Sequence, residues 1–432
     1  MTHPAELPLD ALVQEHRVHR SLYTDEAIFA AEMNRVFGAT WTYLAHESEL
    51  PAPHSFVRRK LGLRPVIVSR DRDGALHVLL NRCTHRGATV CRQDEGTARR
   101  FTCPYHNWSF DSAGALVGVP IEEGYGEGFD KTALGLGKAR VASYRGFIFA
   151  TLNPEMPELV HHLGPAAQLI DEWLDRWPGA TLKLQRGTHR MICLGNWKLV
   201  YDNSADGYHP GFSHMSLLRM RKDRYGAGVD MQWTIGNVDH GLQTVADVGN
   251  GHTFIDQRAE IKRYWEQAAP MPGESRYEQA IRAKLGAKAD AALDVVMGSG
   301  MNLNIFPNLL IIGNQIQVIE PQKVDLTHIT WYATALEAPD LPDEVNALRM
   351  RLQEDFPSFG EPDDLANFEE CQAGLSIPEM EWVLTNRHLD TGTEYVGPKG
   401  MLTGPVTDDL PLRAFWREWK RLMTSTTRLA AA

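Results

Sequence analysis

Long basic runs, an apolar segment of membrane length and an even set of cysteines are all missing from this sequence of 432 residues. Its formal net charge is -11, and no block of Lys and Arg is long enough, or interleaved with aromatic residues, to form a surface for nucleic acid. No uninterrupted apolar run approaches the roughly 18 residues of a membrane span. Nucleic acid and membrane are therefore poor first hypotheses for a partner.

The segment Met1–Pro8 also lacks the basic and apolar regions of a secretory signal, so we expect a cytoplasmic protein. Its five cysteines are an odd number, which in a reducing compartment argues against a disulfide framework. Metal ligation and simple burial remain as explanations for the cysteines.

The length predicts two domains, and a content of 43% hydrophobic residues is ordinary for a globular interior. A helix is predicted over Thr24–Gly38. From Trp41 to about Leu152 the β-forming residues dominate, with hairpins at Pro65–Asn81 and Trp108–Val117. This region therefore reads as a small all-β domain.

Helices and strands follow in blocks after the proline-bearing stretch Asn153–Pro157, without βαβ alternation. This order favours an α+β domain with an antiparallel sheet. The predicted helices are Leu159–Trp177, Arg258–Ala269, Tyr277–Met297, Asp343–Phe356 and Leu412–Met423, and the predicted strands are Asn302–Phe306, Leu309–Ile319 and His328–Ala335.

Two Cys-His pairs, Cys83/His85 and Cys103/His106, place four metal ligands on two loops of the all-β region. A structural zinc in a non-catalytic binding protein is one interpretation. The other is a Rieske [2Fe–2S] cluster, in which two Cys hold one iron and two His hold the other. Each loop carries one Cys and one His, which favours the iron cluster. Cys91 is expected to be a small buried residue.

A second metal site is suggested by His209 and His214. Five residues apart, they would lie about 140° apart on a regular helix, so a local break is needed for their imidazoles to converge. Two histidines and one carboxylate can hold Fe(II) with open positions, and the carboxylate would come from Asp363 or Asp364. Either Asp could instead cap the helix predicted after them.

Both Cys-His boxes resemble the Rieske signature of aromatic-ring-hydroxylating oxygenases, and Asn196–His214 resembles the mononuclear-iron box of their α subunits. The likeness is to the benzoate/anthranilate/terephthalate-type branch and runs from Tyr23 to Met423. It implies an N-terminal helical segment (1–40) packing on the catalytic domain, an all-β Rieske [2Fe–2S] domain (41–155) and a helix-grip catalytic domain (156–432).

The resemblance also implies ligands. Cys83 and Cys103 would bind one iron of the cluster, and His85 and His106 the other. The mononuclear Fe(II) would be held by His209, His214 and Asp364, with Asp363 as the register alternative.

Asp206 matches the acid that hydrogen-bonds a histidine ligand and bridges, for electrons, to a Rieske histidine of the neighbouring subunit, here His106. Asn203 lies three residues before it, as in the benzoate and anthranilate enzymes. Asp202 stands where that branch usually has Glu.

The implied activity is that of a terminal oxygenase α subunit in aromatic hydrocarbon catabolism. It would use O2 and NAD(P)H-derived electrons to cis-dihydroxylate an aromatic ring, with an aromatic acid as the expected substrate. Ferredoxin and/or a reductase would donate electrons, and a homotrimer with β subunits (α3β3) is expected. The alternative is a monooxygenase or demethylase that works as an α3 trimer.

Apolar residues near the iron box are candidates for the substrate pocket, although each fits an ordinary core equally well. They are Met215, Leu217, Leu218 and Ile305. Where the terephthalate-type enzymes would place an Arg for a carboxylate, this chain reads Gln315–Glu320, which does not support a dicarboxylate substrate.

Overall fold

The computed structural model of the protein describes residues 8–175, 177, 179–184, 187–225, 243–259, 274–290, 293, 300–343, 346, 356–397, 399–425 and 429. These residues form two compact units. The smaller unit contains Glu32–His162 with Ser425 and Leu429, and the larger unit contains the residues up to Ala31 and Leu163–Thr424. The Cys-His boxes lie in the smaller unit, and the second candidate site lies in the larger one.

The helices, in chain order, are α1 Ser21–Thr24, α2 Glu26–Arg35, α3 Leu159–Leu163, α4 Pro165–Leu174, α5 Trp197–Ala205, α6 Pro210–Ser213, α7 Met215–Tyr225, α8 Glu274–Leu285, α9 Glu361–Leu375 and α10 Leu410–Thr424. The strands are β1 Val13–Gln14, β2 Arg17–His19, β3 Thr42–His46, β4 Ser55–Leu61, β5 Arg64–Arg70, β6 Leu76–Leu80, β7 Glu95–Thr97, β8 Arg100–Thr102, β9 Ser109–Asp111, β10 Leu116–Gly118, β11 Lys138–Tyr144, β12 Phe147–Thr151, β13 Thr181–Leu184, β14 His189–Cys193, β15 Thr244–Gly249, β16 His252–Asp256, β17 Met301–Ile305, β18 Leu309–Ile312, β19 Gln315–Lys323, β20 Leu326–Glu337, β21 Trp382–Leu384, β22 Tyr395–Val396 and β23 Leu402–Pro405.

The smaller unit is built on a seven-stranded sheet in the order β3-β12-β11-β6-β5-β4-β7, beside a three-stranded sheet β10-β9-β8. Both predicted hairpins are confirmed, as β5–β6 and β9–β10. Strand β5 is buried on two faces: Val66 and Val68 join one apolar core and Ile67 the other. Side chains alternate along a strand, so a continuous apolar run serves both cores. Cys83 and Cys103 belong to the core of Ile67.

The larger unit contains a ten-stranded antiparallel sheet in which β13, β20, β19, β18, β17, β16, β15, β23 and β22 follow one another and β14 also pairs with β20. The long helix α10 buries an aromatic face. Its Phe415 stacks on Tyr201 of α5 with ring centroids 4.8 Å apart, and lies 5.7 Å from the ring of Phe306. An antiparallel sheet and a long helix that share one aromatic core confirm the expected helix-grip architecture.

One predicted strand was wrong. The run Leu309–Ile319 forms two strands, β18 and β19, because Gly313 adopts a left-handed conformation (φ 61°) and reverses the chain. Ile312 pairs with Gln315 across this two-residue turn. Gly as the first of two turn residues is the pattern of a type II′ hairpin, so the signal was present in the sequence.

The prediction of a helix beginning after Asp364 was also wrong. Helix α9 begins at Glu361, and its N-cap residue is Gly360, which has no side chain that could cap the helix. Asp363 and Asp364 lie inside the first turn, so neither caps the helix.

Three predicted helices reach beyond the described residues: most of 258–269, part of 277–297 and most of 343–356 lie outside them. Among the helices that the structure describes, none has the length and apolar content that a membrane span requires.

Candidate metal centres and active site

The two Cys-His boxes of the smaller unit have the same backbone path. In the first, the N–H of Gly87 donates to the Cys83 carbonyl, and in the second the N–H of Asn107 donates to the Cys103 carbonyl. Gly87 (φ 81°) and Asn107 (φ 60°) are both left-handed. Gly and Asn are the residues that tolerate this conformation best, so each box forms a tight turn that begins with its cysteine.

The turns bring the two histidines together over an aromatic surface. The ring of His85 lies 4.5 Å from that of His106 and stacks on Trp108 at 4.8 Å. Cys83 and Cys103 are buried to 1% and 2% exposure. In the described part of the chain no hydrogen-bond partner reaches the buried Nδ1 of His85. A buried nitrogen without a partner is costly unless it binds a metal, so this donor set fits one.

Burial raises the pKa of the Cys83 thiol, with the nearby Cys103 as a further contribution. Burial also lowers the pKa of His85, as do His106 and Arg86. Thiols that resist ionisation in a buried place need a cation to become ligands, and neutral imidazoles are ready to bind one. Cys91 is 3% exposed and packs in the same core.

In the larger unit the helical structure around His209 and His214 is interrupted twice. Helix α5 ends at Ala205, Asp206 is extended, and the single turn α6 starts after His209 and ends before His214. The predicted local break is thus present. It brings the two imidazole rings to a centroid distance of 5.4 Å.

Asp364, in the first turn of α9, completes this group. Its Oδ1 lies 3.4 Å from His214 Nε2 and 3.6 Å from His209 Nε2. One ligand atom from each of the three residues lies within 4.8 Å of the others. Asp363 instead accepts a hydrogen bond from the Ser216 hydroxyl at 2.9 Å, and its carboxylate is 3.7 Å from the other ring nitrogen of His214.

Two further side chains hold this group in place. Asp206 Oδ2 lies 3.3 Å from His209 Nδ1, on the ring side opposite Asp364. Asn203 donates from Nδ2 to Asp364 Oδ1 at 3.2 Å and lies 3.1 Å from His209 Nε2. A carboxylate that accepts from one ring nitrogen leaves the other nitrogen free to bind a metal, the usual arrangement behind a metal-binding histidine.

The electrostatics of the group also favour a cation. Burial raises the pKa of Asp364 to about 6, and it raises the pKa of Glu361, one turn earlier, to about 8, with Asp364 as a second cause. For His209 burial acts to lower the pKa, but Asp206 and Asp364 outweigh it and raise the value. Crowded acids that need positive charge fit a divalent metal.

A cavity opens beside these residues, between a helical wall and a sheet wall. The helical wall includes Glu361, Asp364 and Phe368 of α9. The second and third of these follow Glu361 by three and seven residues, so all three lie on one helix face. The sheet wall contains a row of residues that pair across β16, β17, β18 and β19: Ile255, Asn302, Ile312 and Gln315. This wall therefore alternates apolar and amide side chains.

Of the predicted pocket residues, Leu217 lines this cavity. Met215 is 42% exposed and Ile305 is 1% exposed in the core, and neither is among the lining residues. The side chain of Leu218 lies outside the described part of the chain.

Polar lining residues were missed by the sequence analysis, among them Gln257 and Asn302. A search for apolar neighbours of the iron box excludes them. Alternation along β16, which puts Gln257 on the same side as Ile255, could have found the first.

Comparison with family models gives two matches. Residues 40–144 match the Rieske [2Fe-2S] domain, and residues 182–425 match the catalytic domain of the ring hydroxylating alpha subunit. The second match covers more than half of the chain.

The chain is similar to curated relatives over most of its length. It is 34% identical to the 2-halobenzoate 1,2-dioxygenase large subunit of Burkholderia cepacia, over 86% of this chain and 80% of the relative. It is 33% identical to the toluate 1,2-dioxygenase α subunit of Pseudomonas putida, over 85% of this chain and 82% of the relative. The similar region thus includes both candidate metal-binding motifs, the Cys-His boxes and the histidine pair with Asp364.

Solved structures agree. Naphthalene 1,2-dioxygenase with indole bound in the active site superposes with a TM-score of 0.80 at 26% identity, over 98% of this chain and 96% of that chain. A quaternary ammonium Rieske monooxygenase in complex with L-carnitine has a TM-score of 0.66 at 18% identity, over 97% and 99% of the two chains, and shows a shared fold alone.

Proposed function

The chain belongs to the family of ring-hydroxylating dioxygenase α subunits, and on that premise we propose that it is a terminal oxygenase that cis-dihydroxylates an aromatic ring. Membership makes it an oxidoreductase with a Rieske [2Fe–2S] cluster and a mononuclear iron. We further propose an aromatic acid as the substrate class, since the relatives named above include enzymes named for halobenzoate and toluate.

The observation that carries the proposal is the group His209, His214 and Asp364 in the wall of a cavity. Its ligand atoms lie within 4.8 Å of one another, and two of its members are almost fully buried. Two histidines and one carboxylate leave open positions on iron, and the cavity gives a ring access to them.

For the Rieske cluster we propose Cys83 and Cys103 as ligands of one iron and His85 and His106 as ligands of the other. When bound, the cluster supplies single electrons and the mononuclear iron supplies the place where dioxygen is activated. Trp108 stacks on His85 and so covers one face of its ring.

At the second site the residues of the chain orient the metal ligands. Asp206 accepts from His209 Nδ1 and so fixes the tautomer that presents Nε2. Asn203 holds Asp364 Oδ1 toward the two imidazoles. Asp206 keeps 28% of its side chain exposed, which supports its proposed role as the electron bridge to His106 of a neighbouring subunit.

We propose that electrons arrive from a ferredoxin and/or an NAD(P)H-dependent reductase, and that the chain assembles as a homotrimer with β subunits, as α3β3. Analytical ultracentrifugation with and without a candidate β subunit tests the assembly.

The function is tested by turnover of a panel of aromatic acids and hydrocarbons with a surrogate reductase under ¹⁸O2. Two labelled oxygens in one diol support the proposal. One labelled oxygen in a phenol, or release of formaldehyde, contradicts it and favours monooxygenation or demethylation. No oxygenated product from any substrate contradicts both.

A further inference from the structure

Gln257 follows β16 directly and faces the cavity. Its backbone N–H donates to the Gly300 carbonyl at 2.9 Å, which extends the β16–β17 ladder by one step. Ile255, two residues earlier, also lines the cavity, as alternation along a strand requires. Gln257 is only 4% exposed, so its amide is held inside the protein rather than in solvent.

The side-chain amide nitrogen of Gln257 has no hydrogen-bond partner among the described residues, although it is buried. Two other polar side chains that line the cavity, Gln317 and Ser204, do have hydrogen-bond partners. Gln317 donates to Glu361 at 2.9 Å, and Ser204 donates to Asn304 at 2.8 Å. A buried N–H group without a partner is costly, so its retention in a cavity wall points to an acceptor that a ligand brings.

The charges around the cavity indicate how such an acceptor is bound. Its described lining residues include Asp206, Glu361 and Asp364, but no Lys or Arg. The nearest cation along the chain, Arg258, is already paired with Asp256 at 2.6 Å and with Glu172 at 3.0 Å. Among the described lining residues, the donor available to an acceptor on a ligand is thus a neutral amide and not a cation.

We propose that Gln257 selects substrates whose aromatic ring carries a carboxylate or carboxamide, by donating a hydrogen bond from Nε2 to the carbonyl-type oxygen of that substituent. The inference rests on the proposed function, because it assigns the substrate of the same cavity. Gln257 is a specificity residue that contacts the substituent, and the metal ligands lie on other elements.

The test compares benzoate and benzamide with toluene, which has the same ring and lacks the acceptor. The iron-loaded full-length wild type, Gln257→Leu and Gln257→Glu are measured for kcat/KM with a surrogate reductase. Anaerobic titration of tryptophan fluorescence gives Kd for each ligand without turnover. Far-UV circular dichroism and iron content check that each variant is folded and loaded.

In Gln257→Leu we expect kcat/KM to fall and Kd to rise by about ten- to a hundredfold for benzoate and benzamide, with a much smaller change for toluene. In Gln257→Glu, the new charge repels benzoate, whereas benzamide can donate its own N–H groups to the carboxylate. That variant should therefore prefer benzamide. Gln257→Asn keeps an amide on a shorter side chain, so its kcat/KM and Kd for benzoate and benzamide should lie between those of the wild type and Gln257→Leu. If Gln257→Leu does not fold, Gln257→Asn tests the role of the amide instead.

Equal losses for all three ligands in Gln257→Leu, no loss for any, or a wild type that prefers toluene would each overturn the inference. Failure of the proposed function is a different result: the wild type would oxygenate none of the three compounds. The anaerobic Kd values would then still decide whether Gln257 recognises the substituent.

Discussion

The two metal centres of this chain are built in opposite ways. Cys83 and Cys103 start two turns that have the same backbone hydrogen bonds and a left-handed residue at the same position, each on a loop next to short strands. His209 and His214 flank one turn of an interrupted helix, and Asp364 comes from a different helix 161 residues after Asn203, its hydrogen-bond donor. The first centre is made of repeated local geometry, and the second depends on tertiary packing.

This difference suggests that the centres can be lost separately. Turns of five or six residues form from local interactions, whereas three ligands on separate elements require the sheet and the aromatic core behind α5 to be in place. Variants in each centre test that independence.

The largest effects are expected from ligand removal. Cys103→Ser and His209→Ala should both abolish oxygenation, but His209→Ala should keep the electron paramagnetic resonance signal of the reduced Rieske cluster, which Cys103→Ser should lose. Turnover assays and spectra of both variants check this. Cys91→Ser is the matched control, since this buried cysteine lies between the boxes, and it should keep signal and turnover. Full oxygenation by His209→Ala would refute the assignment of the iron site.

Removing the partner of a ligand should have a smaller effect. In Asp206→Asn we expect iron affinity or turnover to fall by about 10–100-fold, because His209 loses the acceptor that orients its ring. Iron titration and kcat with the surrogate reductase measure these two quantities. Asp363→Asn is the control, as this carboxylate accepts from Ser216 and should be dispensable for iron. Iron loss in Asp363→Asn as severe as in Asp364→Asn would reverse the choice between the two acids.

The similarity of the two turns can itself be tested through stability. Gly87→Ala should destabilise the protein by about 1–2 kcal/mol, since a side chain disfavours the left-handed conformation that Gly87 adopts (φ 81°). Asn107→Gly, at the same place in the other turn, should leave stability unchanged or raise it. Denaturant unfolding followed by the cluster absorbance gives both values. A loss of stability in Asn107→Gly would show that the turns are not equivalent.

A change in the pH dependence of stability, with no loss of a metal ligand, is expected in the larger unit. Burial raises the pKa of Asp202 to about 7 from an ordinary value of 3.8, against the hydrogen bond from the Tyr23 hydroxyl. Between about pH 4 and 7 the folded state keeps a proton that the unfolded chain releases, so this group's contribution to stability falls as pH rises.

Asp202→Asn should flatten that decline, and calorimetric unfolding across this pH range measures it. Tyr23→Phe should extend the decline to higher pH, because it removes the donor that lowers the pKa. Identical slopes in all three proteins would mean that Asp202 does not titrate in this range.

The centres also differ in how far the sequence alone could predict them. The Rieske domain could be predicted from the Cys-His boxes because their proposed ligands are two or three residues apart and Gly87 and Asn107 suit the turns that hold them. The break between His209 and His214 could be inferred as a requirement. The choice of Asp364 over Asp363 depended on where α9 begins, and a start before Asp364 was not expected. Helix ends are determined by capping and packing that a local pattern specifies poorly.

The cavity was the least predictable part. Met215 and Ile305 were chosen for apolarity, which does not distinguish a pocket wall from a core or an exposed helix position. Asn302 lies on β17 and Gln257 directly after β16, and the register and neighbours of these strands appear only in the folded sheet. The hairpin at Gly313, read as one continuous strand, brings Gln315 into line with Ile312 and Asn302. Because the turn at Gly313 was not predicted, the row of cavity residues across these strands could not be predicted either.

That row has a consequence for how this enzyme can change. Since the proposed metal ligands lie on the helical wall and the row lies on the sheet wall, mutations in the two walls affect different functions. One exchange on β16, β17 or β19 can alter which molecule is accepted while the reactive centre keeps its geometry. A change of aromatic substrate in such a gene can then proceed one codon at a time, without passing through an inactive form.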